Sequence, residues 1–514
     1  MKTTFILGFS LIFFCAEAQH TNIVIGTTIA PEEPSIAINP ANTLQMVAGA
    51  NLDNFYTSTD GGFSWQQGTL TSDYGVWGDP TIICDTTGAF YFFHLSNPSS
   101  GNWIDRIVCQ KLDSINSSWS NGTYTGLNGT KAQDKQWAVV DRSDNTIYVT
   151  WTQFDDYGSS NLSDSSNIMF SKSIDGGLTW SPAIRINKVA GDCIDSDNTT
   201  EGAVPAVGPN GEVYVAWAGP EGLVFDRSND GGTTWVDDDI YVAPIGGGWD
   251  YSIPGIQRAN GLPVTVCDTS HGPHRGTVYI NWSDQTNGTD NTDIWLVKST
   301  DGGITWSSPF RVNDDTTTTQ QFFTWMTIDQ VTGYLWFVWY DRRNNTDNRT
   351  DVYMACSKDG GNTFNNFKVS ESPFTPASNV FFGDYTNITA HNGVVRPIWT
   401  RLENYQLSIL TAIIDTALSV EESFSLPDPE MEVFPNPSEG SFCLAFKMHS
   451  VTPFSVDLLD VTGKTIAKLH EGMSQPGRQI YYFDASDFSL QSGVYFIAVR
   501  SNEKTFLKKW VLVD

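Results

Sequence analysis

A short motif that recurs five times along the chain constrains its fold more than any other feature. It reads Ser-x-Asp-Gly-Gly-x-Ser/Thr-aromatic and begins at Ser58, Ser173, Ser228, Ser299 and Ser357. The aspartate can accept hydrogen bonds from backbone N–H groups of its own turn, and the glycines permit the positive φ of a tight connection. The aromatic residue then anchors the next strand in an apolar layer. Five copies predict a fold of repeated hairpins, with each motif in a structural role at a turn.

A second repeat stands upstream of four of these motifs. It reads aromatic-x-x-Trp and comprises Tyr148 with Trp151, Tyr214 with Trp217, Tyr279 with Trp282, and Trp336 with Trp339. Residues i and i+3 of a strand face opposite sides of its sheet, so large residues at both positions predict sheets that are packed on both faces. A β-propeller blade, which lies between two neighbouring blades, meets this description.

The repeats divide residues 19–415 into units of four strands. The units begin near residues 35, 81, 137, 204, 263, 325 and 384, and residues 22–25 are predicted to supply the missing strand of the last unit. Seven blades is the favoured count, and six is the alternative.

The motif resembles the Asp box, or BNR repeat, and residues 19–415 resemble secreted Bacteroidetes propellers of the sialidase-like type. Segments such as Asp134-Lys-Gln-Trp137 and Phe381-Phe-Gly-Asp384-Tyr385 carry this resemblance. It implies an all-β Asp-box propeller with an arginine triad for a sialate carboxylate, a Tyr nucleophile paired with a Glu, and an Asp acid. The chain departs from that pattern because no Lys or Arg occurs from Gln19 to Asp105, where the first arginine of the triad is expected.

Both ends of the chain look like targeting segments. Residues 1–18 have a charged Lys2, a short apolar run and a small-x-small site, which predicts a signal peptide. After a linker at residues 416–430, residues 431–514 resemble the C-terminal sorting domain of type IX secretion. That resemblance implies a small β-sandwich, the secretion machinery as a partner, and a secreted or outer-membrane surface location. The alternative for this segment is a small carbohydrate-binding sandwich.

The charge and composition exclude several classes of function. The formal net charge of −29 repels phosphate backbones, so nucleic acid is not expected as a partner. The apolar run of the predicted signal peptide is too short for a membrane span, and no later run is long and apolar enough for one. Six cysteines beyond Cys15 are scattered without metal-ligand spacing, so neither a disulfide framework nor a zinc site is predicted.

Candidate site residues lie where innermost strands are predicted to begin and where second and third strands join. Tyr385 beside Asp384 is the candidate nucleophile, and Asp79 and Asp134 are candidate general acids; the alternatives are a packed tyrosine and turn caps. Candidate substrate-binding residues are the cations and aromatic platforms, namely Arg275, Arg342, Arg396, Arg401, Lys135, Trp77, Trp137 and Trp325. For each arginine the alternative is a surface ion pair. No cofactor is required, although the loop carboxylates also suit Ca²⁺.

Three functions remain open at this point. The first is a sialidase-like glycoside hydrolase, and the second is a non-catalytic glycan-binding or adhesive propeller. The third is a polysaccharide lyase acting on uronates, suggested by the loop His271-Gly-Pro-His274-Arg275. All three share an extracellular glycan as the partner.

Overall fold

The structure is a computed structural model that describes residues 20–415 throughout. It also describes residues 431–438, 440–448, 451–460, 464–475, 477–488, 490–501 and 505–513. The chain divides into two compact units, residues 1–415 and 416–514. The predicted signal peptide and the predicted linker lie outside the described residues.

Within residues 20–415, strands that are neighbours in sequence pair to form successive antiparallel sheets. After β1 (Asn22–Gly26), the first sheet contains β2 (Ser35–Ile38), β3 (Met46–Ala50), β4 (Asn54–Ser58) and β5 (Gln66–Thr69). The second contains β6 (Gly78–Cys84), β7 (Phe90–Leu95), β8 (Ile107–Leu112) and β9 (Thr123–Thr125). The third contains β10 (Ala132–Val140), β11 (Ile147–Phe154), β12 (Ser166–Ser173) and β13 (Ile184–Arg185).

The fourth sheet contains β14 (Glu201–Val207), β15 (Val213–Gly219), β16 (Gly222–Ser228) and β17 (Ile240–Ala243). A hairpin of β18 (Asp250–Tyr251) and β19 (Ala259–Asn260) follows it. The fifth sheet contains β20 (Val264–Cys267), β21 (Val278–Asp284), β22 (Asp293–Ser299) and β23 (Phe310–Arg311). The sixth contains β24 (Gln321–Asp329), β25 (Tyr334–Asp341), β26 (Asp351–Ser357) and β27 (Asn365–Lys368). The last contains β28 (Asn387–His391), β29 (Val394–Glu403), β30 (Gln406–Ala412) and the short β31 (Ile414–Asp415).

The sheets close into a ring. Strand β1 pairs antiparallel with β30, so the strand nearest the N terminus completes the last sheet. The innermost strands β2, β6, β10, β14, β20, β24 and β28 contact one another in this order, and β28 contacts β2 again. The β-propeller fold predicted from the repeats is confirmed, and the ring within residues 20–415 contains seven sheets.

The core of the ring lies between neighbouring sheets. The tryptophans of the second repeat are fully buried on the second strands, as is Trp399 of β29. Trp151 of the third sheet packs with Tyr91 and Phe93 of the second. The aromatic repeat therefore fills the space between blades, as residues on both faces of a blade must.

The Asp-box motifs form the turns between third and fourth strands. In the turn at Asp301, the carboxylate accepts hydrogen bonds from the Thr305 N–H at 2.9 Å and the Thr305 hydroxyl at 2.6 Å. The Ser299 hydroxyl donates to it at 2.7 Å and accepts from the Gly303 N–H at 2.8 Å. These contacts show the structural role that the motif predicts.

Four of these turns are each held by a basic residue of the preceding blade. Each donates to a glycine carbonyl of the motif: Lys172 to Gly231 at 2.7 Å, Arg227 to Gly302 at 2.7 Å, Lys298 to Gly360 at 2.9 Å, and Arg396 to Gly61 at 2.8 Å. Arg396 makes this contact across the closure of the ring, between the last sheet and the first.

The described residues of the second unit form two sheets. One comprises β32 (Met431–Phe434), β33 (Ser441–Met448) and β36 (Gly477–Asp484); the other comprises β34 (Pro453–Leu459), β35 (Thr465–Met473), β37 (Gly493–Ser501) and β38 (Thr505–Leu512). A short 3₁₀ helix, Ala485–Phe488, follows β36. Leu444, Val456 and Trp510 from both sheets share one apolar core, which is the predicted β-sandwich.

Two further expectations concern membrane spans and cysteines. No helix in the described part of the chain has the length and apolar character needed to cross a membrane. The six cysteines from Cys84 to Cys443 are free and buried.

Candidate functional site

Irregular backbone marks the starts of the innermost strands. Strands β6, β10, β14 and β24 each have a shift in register there, after Gly78, Asp134, Glu201 and Phe322. Asp79 and Lys135 have positive φ values of 51° and 50° within these bulges. A bulge changes the direction of a side chain, and such strained backbone concentrates at functional sites.

Lys135 lies at the centre of a group of buried carboxylates. Its Nζ is 2.7 Å from Asp384 Oδ2, 3.5 Å from Asp79 Oδ2 and 3.9 Å from Glu33 Oε1. All four side chains are less than about a tenth exposed. We call these residues, with their neighbours Glu32, Asp134, Asp195, Glu201 and Arg258, the central cluster.

Arg258 is the second cation of the central cluster. Its Nε donates to Asp384 Oδ1 at 3.0 Å and its Nη2 donates to Asp384 Oδ2, which makes a bidentate ion pair. Its Nη1 lies 3.7 Å from Asp195 Oδ2, and 43% of its side chain is exposed. Burial would raise the pKa of Asp384, but the charges of Lys135 and Arg258 outweigh it and hold that pKa far below the ordinary value.

The remaining carboxyls of the central cluster differ in the direction in which their pKa is shifted. Burial is the main cause that raises the pKa of Asp134 to about 7. The charge of Lys135 lowers this pKa, and the charge of Asp79 raises it. Burial also raises the pKa of Glu32 to about 8, and it raises the pKa values of Glu33 and Glu201 well above 4.5. For Asp79 the charge of Lys135 and a hydrogen bond with Glu33 outweigh burial, so its pKa is lowered. The cluster thus holds ionised and protonated carboxyls side by side near neutral pH.

Tyr385 lies against two tryptophans at the edge of this cluster. Its ring centroid is 4.9 Å from that of Trp137 and 6.1 Å from that of Trp325, and the two indoles are 4.5 Å apart. These rings line a small recess with Lys135 and Asp384. The Tyr385 hydroxyl is buried and has no hydrogen-bond partner within the described residues. Burial, followed by the charges of Asp79 and Glu33, raises its pKa well above 10.

An aromatic row leads from solvent to the central cluster. Trp77 and Trp103 are 38% and 44% exposed, and their ring centroids are 5.7 Å apart. Trp103 lies 5.7 Å from Tyr157, whose hydroxyl donates to Asp195 at 2.7 Å. Asp195 in turn contacts Arg258. Exposed indole rings beside charged groups are well suited to stack on sugar rings.

The structure therefore brings together most of the residues predicted from the sequence. Seven of them meet at the recess and the cluster: Asp79, Asp134, Lys135, Trp137, Trp325, Asp384 and Tyr385. Trp77 joins through the aromatic row.

The four predicted arginines do not converge. Arg396 holds the first Asp-box turn. Arg342 is buried over Phe322 and donates to Thr350 at 3.1 Å, while Arg401 donates to the Ser372 carbonyl at 2.9 Å. Arg275 lies with His271 at the far ends of the innermost strands, away from Lys135.

Sequence reasoning missed Arg258, Glu33 and Asp195. Arg258 lies in the β18–β19 hairpin, outside the repeats, and neither Arg258 nor Asp195 has a motif that would mark it. Glu33 does have a signal, because Glu32 and Glu33 stand between two prolines just before the first innermost strand.

Metal ligation was a further possibility for these acidic loops. Among the described residues, no group of three or more His, Cys, Asp or Glu side chains is arranged to hold a metal ion. The cations that contact Asp384 are the chain's own Lys135 and Arg258.

Residues 432–513 match the family of secretion system C-terminal sorting domains. The protein carries a sorting tail. This domain marks it for type IX secretion, and so for release or attachment at the cell surface. No curated protein matches the chain.

Several solved structures resemble the propeller at low sequence identity. A Dyadobacter fermentans protein of unknown function is 13% identical, with a TM-score of 0.44 over 77% of this chain and 97% of that one. The Hadza microbial sialidase Hz136 is 14% identical, with a TM-score of 0.42 over 74% and 75%. The α-L-arabinofuranosidase of Fusarium graminearum is 10% identical, with a TM-score of 0.44 over 78% and 98%.

Proposed function

We propose that this protein is a secreted glycoside hydrolase of sialidase-like type, with its active site at the central cluster. The observation that carries the proposal is the division of neighbouring carboxyls into ionised Asp79 and Asp384 and protonated Asp134 and Glu33. Glycoside hydrolysis needs a proton donor beside an ionised group, and carboxyls with opposite pKa shifts supply both at one pH.

Asp134 is the proposed general acid. With a pKa raised to about 7, it keeps its proton at mildly acidic to neutral pH and can give it to the glycosidic oxygen as that bond breaks. Asp79 is less suited to this role because its pKa is lowered.

Tyr385 is the proposed nucleophile, with Asp79 as the base that takes its phenolic proton. Asp79 and Glu33 are the carboxyls that act most strongly on Tyr385, and the hydroxyl has no competing partner among the described residues. As its oxygen bonds to the anomeric carbon, the proton moves to Asp79 and the leaving group takes the proton of Asp134. Water then cleaves the tyrosyl intermediate: Asp134 takes a proton from the attacking water, and Asp79 returns its proton to the departing Tyr385 oxygen.

The cations have a proposed role in substrate binding. Lys135 is buried by its carboxylate partners, whereas Arg258 exposes 43% of its side chain. Arg258 is therefore the cation of the cluster that an acidic sugar can reach.

A hydrolysis screen with the secreted protein tests the proposal. The panel contains fluorogenic glycosides, including sialosides, and polyuronates for lyase activity. One glycoside should be cleaved, and Asp134→Asn and Tyr385→Phe should each lower turnover by roughly 100-fold or more. Asp301→Asn, in an Asp-box turn, is the matched control and should leave turnover unchanged. Unchanged turnover in Tyr385→Phe would remove Tyr385 as the nucleophile.

Non-catalytic glycan binding is the second candidate function. The exposed aromatic row from Trp77 to Tyr157 favours it, because stacking platforms bind sugars without any chemistry. Glycan binding without hydrolysis of any member of the panel would support it over the hydrolase.

A further inference from the structure

A second, larger cavity lies inside the ring. Its volume is about 540 Å³, and it follows the later part of the innermost strands. Its walls are mostly apolar residues of these strands. Trp137 and Trp325 line this cavity as well as the recess at Tyr385. Polar and apolar atoms contribute nearly equally to the surface of the cavity, and a space of this size with apolar walls and a few polar groups is typical of small-molecule sites.

Basic residues gather where these strands end. Arg142 stands in the turn between β10 and β11, and His271 and Arg275 stand in the loop between β20 and β21. Together with Gln330 they line one end of the cavity, whereas Lys135 lies at the other end of the strands. Such a gathering is unexpected in a chain with 29 basic and 58 acidic residues.

Neither guanidinium forms a close ion pair with a carboxylate in the described part of the chain, and the charges of Asp329 and Glu212 act on Arg142 and Arg275 only from a longer distance. Arg142 Nη1 lies 3.3 Å from His391 Nδ1. Arg275 donates only to carbonyl oxygens, including those of Ser270 at 2.9 Å and Pro209 at 3.3 Å. Burial and then the charge of Arg142 lower the pKa of His391, so this imidazole is neutral near pH 7 and leaves the guanidinium charge in place.

The nearby acids Asp141, Asp268 and Asp329 accept hydrogen bonds from backbone N–H groups. Asp141 accepts from the Ser143 N–H at 2.8 Å, and Asp268 accepts from the Ser270 N–H at 2.8 Å. Asp329 accepts from three N–H groups, including that of Gly393 at 2.7 Å. These contacts hold the carboxylates in place without pairing them to Arg142 or Arg275.

We propose that this cavity binds a small amphipathic carboxylate. Its carboxylate lies at the mouth, in the positive field of Arg142 and Arg275, and takes a charge-assisted hydrogen bond from one of these guanidinium groups. Its apolar body lies along the strand walls toward Trp137 and Trp325. The site is separate from the central cluster, so it does not depend on the proposed hydrolase activity.

Calorimetric titration of the full-length secreted protein at low salt tests the site. Octanoate and octanol are the probes because they share an apolar body and differ in the charged head. Octanoate should bind at least roughly 10-fold more tightly than octanol, which is the usual effect of hydrogen bonds to a charged group. The double variant Arg142→Gln/Arg275→Gln should lose this preference and keep its affinity for octanol. Arg349→Gln, which removes an exposed arginine of another loop, should behave as wild type.

A change in the wall tests where the apolar body lies. Thr327 of β24 lines the cavity and is partly exposed to it, and Thr327→Phe narrows the space without altering either arginine. This variant should weaken both probes by a similar factor. Equal affinity of the wild type for octanoate and octanol, or no binding of either probe at millimolar concentration, would overturn the proposal.

Discussion

At the rim of the propeller, Asp-box carboxylates are exposed and surrounded by donors, while at its centre carboxyls are buried among other carboxyls. Hydrogen bonds from Thr179 hold the pKa of Asp175 at about 2. Burial raises the pKa of Asp134 to about 7 and that of Glu32 to about 8. Carboxyl groups are therefore anions at the rim, whereas at the centre protonated carboxyls such as Asp134 stand beside ionised ones such as Asp384.

This contrast shows how carboxyls with a structural role can be distinguished from carboxyls suited to acid–base chemistry in a repeat fold. At the rim each aspartate completes a turn, and its partners belong to its own motif. At the centre the interacting groups come from different blades and loops, and their charges neutralise one another only in part. Unequal protonation of adjacent groups is what acid–base chemistry uses.

Removal of the Asp384 charge should have the largest effect. Asp384→Asn leaves Lys135 and Arg258 without their strongest counter-charge, and loss of one member of a buried ion pair costs about 3 to 5 kcal/mol. We expect a clear fall in the denaturant midpoint of the propeller and roughly 100-fold or greater loss of any hydrolysis. Asp301→Asn is the corresponding variant at the rim. An equal loss of stability in both variants would contradict the expected difference between the centre and the rim.

The pH dependence of stability should have opposite signs for Asp134 at the centre and Asp175 at the rim. Asp134 binds its proton more tightly when folded, so its contribution to stability is present below the ordinary pKa of 3.8 and is lost as pH rises toward about 7. For Asp175 the folded pKa is lowered, so its contribution is present above 3.8 and is lost as pH falls toward about 2.

Thermal unfolding of Asp134→Asn and Asp175→Asn across this range checks the signs. Between pH 4 and 7, Asp134→Asn should gain stability relative to wild type as pH rises, by up to a few kcal/mol. Asp175→Asn should differ from wild type by a constant amount in that range. A constant difference for Asp134→Asn as well would contradict the raised pKa.

Shortening of the aromatic row should weaken glycan binding by an intermediate amount. Trp103→Ala removes an exposed stacking surface, and we expect roughly 10-fold lower affinity for a bound glycan with no change in thermal stability. Glycan-array binding followed by titration measures this effect. Phe63→Ala, at an exposed rim position, is the matched control. Equal weakening in both variants would remove the row as a binding surface.

Loss of one rim carboxylate should have the smallest effect. Asp301→Asn keeps the shape of the turn and weakens its hydrogen bonds, so we expect a loss of about 1 kcal/mol with glycan binding unchanged. Chemical denaturation measures the loss. A larger loss of stability than that of Asp384→Asn would contradict the expectation that the central carboxylate contributes more to stability than the rim carboxylate.

Much of the fold was predictable because its repeats encode it. Each Asp box contains its own hydrogen-bond partners, and each buried Trp of the second repeat marks a second strand, so local sequence determines local structure. Even the pairing of β1 with β30 followed from a unit that lacked one strand. The sandwich of residues 431–513 followed from its resemblance to a known domain.

The site was predictable only in part. Asp79, Asp134, Lys135 and Asp384 stand at the starts of innermost strands, and the fold brings such positions together. Arg258 belongs to an inserted hairpin, so no repeat indicates that it reaches Asp384. The candidate arginines lie apart for a different reason, since Arg275 binds a carbonyl oxygen of its own loop and Arg401 binds the Ser372 carbonyl.

The pKa differences could not be predicted from the sequence at all. They depend on burial and on which carboxyl lies next to Lys135, and both are properties of the assembled ring. Asp79 and Asp134 look equivalent as sequence, yet contacts with Lys135 and Glu33 lower the pKa of one while burial raises that of the other.

Infrared difference spectroscopy of carboxyl groups tests the central claim most directly. Between pH 5 and 6, the wild-type protein should show the C=O absorption of protonated carboxyl groups. Asp134→Asn and Glu33→Gln should each reduce it, while Asp301→Asn should leave it unchanged. The absence of this absorption in the wild type, or its persistence at full strength in both central variants, would contradict the presence of protonated carboxyls beside ionised ones at the centre.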